Sequence, residues 1–85
     1  MAFDYNMVDY KRNQLIEYAK SKHDILLVSY LCPVEEQIIF YIRNEKYEQK
    51  ILFTNLSEFL SMDNKEIFSE IYNNFQKYVK EKEER

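Results

Sequence analysis

The spacing of hydrophobic residues changes three times along this chain. A segment with helical period comes first, three short alternating runs follow between residues 24 and 54, and a long amphipathic stretch closes the chain. This order predicts one α+β domain over residues 1–85 with the element order α-β-β-β-α(α). We expect a three-stranded antiparallel meander packed against an N-terminal helix and a broken C-terminal helix.

The first helix is predicted over residues 6–22. Asn6 is its expected N-cap, and Asp9 lies three residues later, as in a capping box. Four apolar residues share one face at helical spacing: Val8, Leu15, Ile16 and Ala19. Arg12 interrupts that face, so we expect its aliphatic stem to lie along the edge.

Three strands are predicted over residues 24–32, 37–43 and 47–54. The first strand is apolar on both faces, so it is either a central strand or a strand whose second face meets something. Pro33 ends it, because proline cannot donate to a β-ladder. The third strand carries charges on one side, which suits an edge strand. Asn44 is the expected site of any positive φ in the second hairpin loop, because the chain has no glycine.

Alternation along the strands predicts two apolar faces for the sheet. In the first strand, Ile25, Leu27 and Leu31 point one way and Leu26, Val28, Tyr30 and Cys32 the other; in the second, Ile38, Phe40 and Ile42 lie opposite Ile39 and Tyr41. Either first-strand set could belong to the face that the helices leave uncovered. Helices on one side can cover only one of these faces. An open apolar face is more than a small monomer usually tolerates, so we expect a partner, a dimer or a covering segment such as residues 1–6.

Two helices are predicted after the sheet. Asn55 opens a short one over residues 56–61, and Asp63 starts the last one. The last helix has one apolar face, formed by Ile67, Ile71, Phe75, Tyr78 and Val79. Residues 80–85 are all charged, and we expect this tail to fray.

Composition indicates a soluble globular protein. Hydrophobic residues make up 46% of the chain and charged residues 32%, with a net charge of -3. The start of the chain lacks the basic and apolar segments of a secretory signal, and no apolar run is long enough to span a bilayer. We therefore expect a cytoplasmic location, in the producing or an infected cell, and no membrane partner.

Candidate catalytic chemistry is sparse. His23 and Cys32, each the only residue of its type, would lie at opposite ends of the first strand, roughly 30 Å apart, and cannot meet. Without glycine the chain can have no phosphate-binding loop or dinucleotide fingerprint. No group of residues has metal-ligand spacing. We therefore predict no enzyme activity, cofactor, metal or small-molecule substrate.

The candidate binding residues favour a protein partner, either another protein or a second copy. Tyrosines are typical of interface centres, and an acidic helix can imitate nucleic-acid phosphates. The candidates are Tyr30, Tyr41 and Tyr72, with the acidic residues Glu58, Asp63, Glu66 and Glu70. We predict a non-enzymatic protein-binding module, in concrete form a small phage or mobile-element inhibitor of a host protein such as a nuclease. The element order resembles that of some phage-encoded nuclease inhibitors, in topology only.

Two alternatives remain open. A nucleic-acid-binding regulator would use the basic first helix, through Lys11, Arg12, Lys20 and Lys22. The element order also resembles double-stranded-RNA-binding domains, but those have a lysine-rich start to the last helix, where this chain has acidic residues 63 and 66. Nucleic acid is therefore the less favoured partner. The second alternative is a structural component of a larger assembly, such as a phage particle.

Overall fold

The computed structural model describes residues 4–84 and shows the predicted α+β architecture. A helix is followed by three strands and then by two helices. The elements are α1 (Tyr5–His23), β1 (Leu26–Cys32), β2 (Gln37–Arg43), β3 (Glu48–Phe53), α2 (Leu56–Ser61) and α3 (Asn64–Glu83). The predicted bounds of the second strand and of the short helix are confirmed.

The sheet is an antiparallel meander in the order β1-β2-β3. The central strand is therefore β2, and β1 lies at an edge, so the interpretation of β1 as a central strand is wrong. Apolar residues on both faces of a strand show that both faces are covered or form an exposed apolar patch. They do not show how many strands pair with it. For β1, one face packs on the helices and the other forms part of the open face of the sheet.

The core lies between the sheet and a single layer of helices. Inward-facing strand residues and the apolar faces of the helices are buried together: Val8, Leu15, Ala19, Ile25, Leu27, Ile38, Phe40, Ile42, Leu56, Phe59, Ile67, Phe68, Ile71 and Phe75. Phe40 lies at the centre of this core, with its ring centroid 5.7 Å from that of Phe53 and 6.1 Å from that of Phe59. Of the two first-strand sets, the one with Ile25 and Leu27 therefore faces the helices, on the same side as Ile38, Phe40 and Ile42.

Helix α1 begins one residue earlier than predicted, and its N-cap is Asp4. The Asp4 Oδ1 atom accepts hydrogen bonds from the backbone N–H groups of Asn6 (3.1 Å) and Met7 (3.4 Å). Asn6 is therefore inside the helix, and its prediction as the cap is wrong. Both residues are favourable caps by type, so the sequence could not place the first turn to within a residue. The predicted caps Asn55 and Asp63 are confirmed.

Two turns use a left-handed backbone, but neither is at the predicted position. Among residues 4–84 the positive φ values belong to Asp24 and Glu36, both at 53°. Asn44 keeps a negative φ because its side chain closes the hairpin instead: Asn44 Oδ1 accepts from the N–H groups of Lys46 and Tyr47, each at 2.8 Å. Asp24 ends α1, and its N–H donates to the carbonyl of Lys20 at 3.2 Å.

The two ends of the chain differ in part from the expectations. Helix α3 continues to Glu83, so residues 80–83 of the expected frayed tail are helical. Residues 4–6 cap and begin α1, while residues 1–3 of the possible covering segment and Arg85 lie outside the described residues. Over residues 4–84, no helix combines the length and the apolarity that crossing a membrane requires.

Candidate protein-docking surface

The face of the sheet that points away from the helices is the candidate site, and we call it the open face. Strand pairing arranges its side chains in four rows across the strands: Leu26–Arg43–Glu48, Val28–Tyr41–Lys50, Tyr30–Ile39–Leu52 and Cys32–Gln37, with Thr54 following β3 beside the last row. The first row lies at the end of the β2–β3 hairpin. Apolar side chains therefore follow β1 and the middle of β2, while polar and charged ones gather on β3 and at the hairpin end.

Large apolar side chains on the open face are in contact with solvent. The exposed fractions of Leu26, Tyr30 and Leu52 are 43%, 57% and 44%. The rings of Tyr30 and Tyr41 meet edge to face, with centroids 5.8 Å apart and planes at 82°. That contact fixes the two rings against each other and leaves most of Tyr30 exposed, so the predicted open apolar face is present and carries both tyrosines.

A shallow groove of about 420 Å³ runs along the hairpin end of the open face. It is lined by Leu26, Val28, Tyr30, Tyr41, Arg43 and Glu48. Its charged end carries an ion pair in which Arg43 Nη1 lies 3.9 Å from Glu48 Oε2. The groove is therefore apolar along most of its length and ends at the Arg43–Glu48 ion pair, whose charges neutralise each other.

Two of the four predicted acidic residues, Glu58 and Glu70, lie beside the open face at the β3 edge. Glu58 of α2 and Glu70 of α3 line one small groove together with Leu52 and Thr54. Leu52 thus belongs both to the open face and to this groove, which joins the apolar surface to the two carboxylates. Glu66 lies four residues before Glu70 in α3, and the N-cap Asp63 lies three residues before Glu66, so this spacing places all three on one side of the helix.

Tyr72 lies in the helix layer, away from Tyr30 and Tyr41. Its ring stacks on that of Phe68 at 5.5 Å, and the His23 ring lies 4.9 Å from it. Tyr18 completes this aromatic cluster by an edge contact with Phe68 at 5.0 Å. Sequence reasoning missed the cluster, although the four-residue step between Phe68 and Tyr72 in a helix was a signal for it.

Two of the four predicted nucleic-acid contacts are already engaged within the protein. Lys11 Nζ donates to the backbone carbonyl of Met62 at 2.7 Å. Arg12 donates to the Ser29 hydroxyl from Nε (2.8 Å) and to the Ser29 carbonyl from Nη2 (2.7 Å). The other two, Lys20 and Lys22, are exposed in the last turn of α1.

The comparisons with known proteins add no family or relative. No protein-family model, characterised protein or solved structure matches this chain. His23 ends α1, before the start of β1, and Cys32 is the last residue of β1, so the two lie toward opposite ends of that strand. Among positions 4–84, no three His, Cys, Asp or Glu residues are grouped so that they could hold a metal ion.

Proposed function

We propose that this protein works by binding a protein through the open face of its sheet, and that it carries out no reaction of its own. The observation that supports this is the set of exposed apolar side chains on one flat face, with every helix packed on the other. Covering the exposed part of Tyr30 alone removes about 100 Å² from water, worth roughly 2–3 kcal/mol. A surface of this kind gains free energy by being covered.

The charges favour a protein partner over nucleic acid. The open face carries Arg43 and Lys50 but also Glu48, which pairs with Arg43, so it offers little attraction for a phosphate backbone. On α1, Lys11 and Arg12 are held by internal hydrogen bonds. Of the four predicted nucleic-acid contacts on α1, this leaves Lys20 and Lys22, on a protein whose net charge is -3.

Site-specific photo-cross-linking tests this proposal. A photoreactive phenylalanine analogue replaces Tyr30 in cells that produce the protein, and the same analogue replaces Tyr10 in the control. Tyr10 is 65% exposed, slightly more than Tyr30, but it lies on α1 in the helix layer. We expect adducts with a protein from position 30 and none from position 10. A position-30 protein that forms no adduct would refute the proposal.

A more specific form of the proposal is a phage or mobile-element inhibitor of a host nuclease, acting in the cytoplasm of the producing or infected cell. The observation that favours it is the shared groove of Glu58 and Glu70, which adds a second carboxylate-bearing element to the acidic side of α3. Carboxylates so grouped would compete with nucleic acid for a basic cleft. The chain's small size and its lack of catalytic groups fit such a role.

Charge reversal tests the inhibitor form. The double variant Glu66→Lys with Glu70→Lys should abolish the protection that this protein gives an infecting phage against the host nuclease, measured as plating efficiency. The matched control, Glu81→Lys with Glu84→Lys, makes the same change of charge at the other end of α3 and should retain protection. Equal behaviour of the two double variants would argue against the acidic side of α3. A photo-adduct with a particle protein would instead support the structural-component alternative.

A further inference from the structure

We propose that the protein which covers the open face is a second copy of this chain, packed sheet to sheet about a two-fold axis that runs across the strands. The inference rests on the proposed function, because it names the occupant of the same surface. It is carried by the order of polar and apolar side chains in the four rows of the open face.

A two-fold axis across the strands reverses the order of the rows and keeps each strand over its own copy. The first row then faces the last, and the second faces the third. The facing pairs are Leu26 with Cys32, Arg43 with Gln37, Glu48 with Thr54, Val28 with Tyr30, Tyr41 with Ile39 and Lys50 with Leu52. In five of the six pairs, apolar meets apolar or polar meets polar. Aligned packing of two sheets at about 30° keeps these neighbourhoods.

The sixth pair, Lys50 with Leu52, brings Lys50 to the small groove lined by Glu58 and Glu70, which we call the acidic groove. The aliphatic stem of Lys50 lies over Leu52 of the second copy, whose side chain borders the groove of Glu58 and Glu70. The ammonium group then has two carboxylates within reach, and the symmetry makes this contact twice. Lys50, which would otherwise be a lone charge on a largely apolar face, gains a partner in this arrangement.

The other sheet-to-sheet arrangement with two-fold symmetry is unfavourable. An axis along the strands would place β1 over β3, so Val28 would face Lys50 and Leu26 would face Glu48. Arg43 would face its own copy, which brings like charges together. Burying unpaired charges against apolar side chains costs several kcal/mol. The sequence of the face therefore selects the axis across the strands.

The size of the open face sets the expected strength of the dimer. Three strands spaced by about 4.8 Å and seven residues at about 3.3 Å each give a patch of about 14 by 23 Å. That patch is smaller than the roughly 800 Å² per partner of a standard interface, so the dimer belongs to the weak class. We expect a dissociation constant in the micromolar range or weaker, with dimer and monomer in exchange.

Sedimentation equilibrium of the purified full chain from about 5 μM to about 1 mM measures this association. The mass should rise from that of one chain, 10.5 kDa, towards twice that value. Lys50→Glu should weaken association at least tenfold, because it brings a third carboxylate to each acidic groove, whereas Lys46→Glu in the hairpin loop should not. Adding Glu58→Lys and Glu70→Lys to the Lys50→Glu variant should restore the dimer.

Thiol cross-linking tests the register. Position 26 faces Cys32 of the second copy, so a Leu26→Cys variant treated with a short bis-maleimide should give a covalent dimer in high yield. Within one chain the two positions are about 20 Å apart along β1, beyond the reach of that reagent. The wild-type chain and the double variant Leu26→Cys with Cys32→Ser should give none, because like positions are also about 20 Å apart in this register.

The outcomes separate this inference from the proposed function. The proposed dimer is refuted if the chain keeps the mass of a monomer at about 1 mM. It is also refuted if a dimer forms that is unaffected by Lys50→Glu and is not cross-linked through position 26. If a monomeric chain forms a position-30 photo-adduct with a different protein, the proposed function stands without the dimer. If it forms no adduct, both are refuted.

Discussion

Replacement of Arg12 by alanine should strongly destabilise the fold. The guanidinium group connects α1 to the edge strand β1 through two hydrogen bonds to Ser29, one to its hydroxyl and one to its backbone carbonyl. It also forms an ion pair with Asp9, and the Arg12 side chain is only 18% exposed. These contacts make Arg12 part of the packing between helix and sheet.

The magnitude follows from what each contact contributes. A hydrogen bond to a charged donor is worth about 1.5–3 kcal/mol, and a half-buried carbonyl left without a partner keeps part of that cost. The Asp9 ion pair adds only about 0.3–0.5 kcal/mol, because Asp9 is 55% exposed and the pair is screened. Both bonds to Ser29 are only part-buried, so water replaces part of each when the guanidinium group is removed. We therefore expect Arg12→Ala to lower the free energy of unfolding by about 2–3 kcal/mol, less than the sum of the separate contributions, or roughly 10–20 °C in Tm.

Urea denaturation followed by circular dichroism measures this difference, with Lys20→Ala as the control on the exposed side of the same helix. Lys20→Ala should stay within about 0.5 kcal/mol of the wild type. Ser29→Ala should cost about 1 kcal/mol, and a double-mutant cycle with Arg12→Ala should show coupling between the two residues. A loss below about 0.5 kcal/mol for Arg12→Ala would refute the structural role of Arg12.

Further substitutions test the first helix cap, the first hairpin turn and the core by the same urea titration. Asp4→Ala should cost about 1 kcal/mol as the loss of an N-cap, whereas Asn6→Ala should change little. Glu36→Gly should stabilise the fold by about 0.5–1 kcal/mol, because glycine adopts the φ of 53° without steric cost, and Glu35→Gly should destabilise it. Phe40→Ala should cost about 3–5 kcal/mol, a large fraction of the stability of a domain of this size.

Two results would contradict these expectations. Equal losses for the Asp4 and Asn6 variants would mean that the helix begins elsewhere. A stabilising Glu35→Gly together with a destabilising Glu36→Gly would place the left-handed residue of the first hairpin one position earlier.

Local elements of this fold could be predicted well because hydrophobic period and capping chemistry act over a few residues. The short apolar run between Gln37 and Arg43 predicts a strand, and the structure buries Ile38, Phe40 and Ile42 while their neighbours stay at least partly exposed. Asn55 is confirmed as the cap of α2; of the two neighbouring capping types, Thr54 and Asn55, asparagine is the better cap and directly precedes the helical run. At the start of α1, two such residues compete within three positions, and tertiary packing decides between them.

The predicted meander is confirmed, strand order included, whereas the placement of side chains between layers could not be predicted, because it depends on contacts distant in sequence. The composition of β1 does not show that it has one neighbouring strand. One of its faces is apolar because it packs on the helices, and the other because it belongs to the open face. Tyr72 and Tyr30 look alike in sequence. Packing against Phe68 and His23 places Tyr72 among the helices, while alternation already placed Tyr30 on the second face of the sheet.

The confinement of the core to one interface between sheet and helices has a consequence for hydrogen exchange. No second compartment within residues 4–84 could keep its protection while this interface opens. The amides of Leu15 in α1, Phe40 in β2 and Ile71 in α3 should therefore exchange through a common event, with the same opening free energy and the same dependence on urea. A chain this small is expected to lose all of its slow amides together.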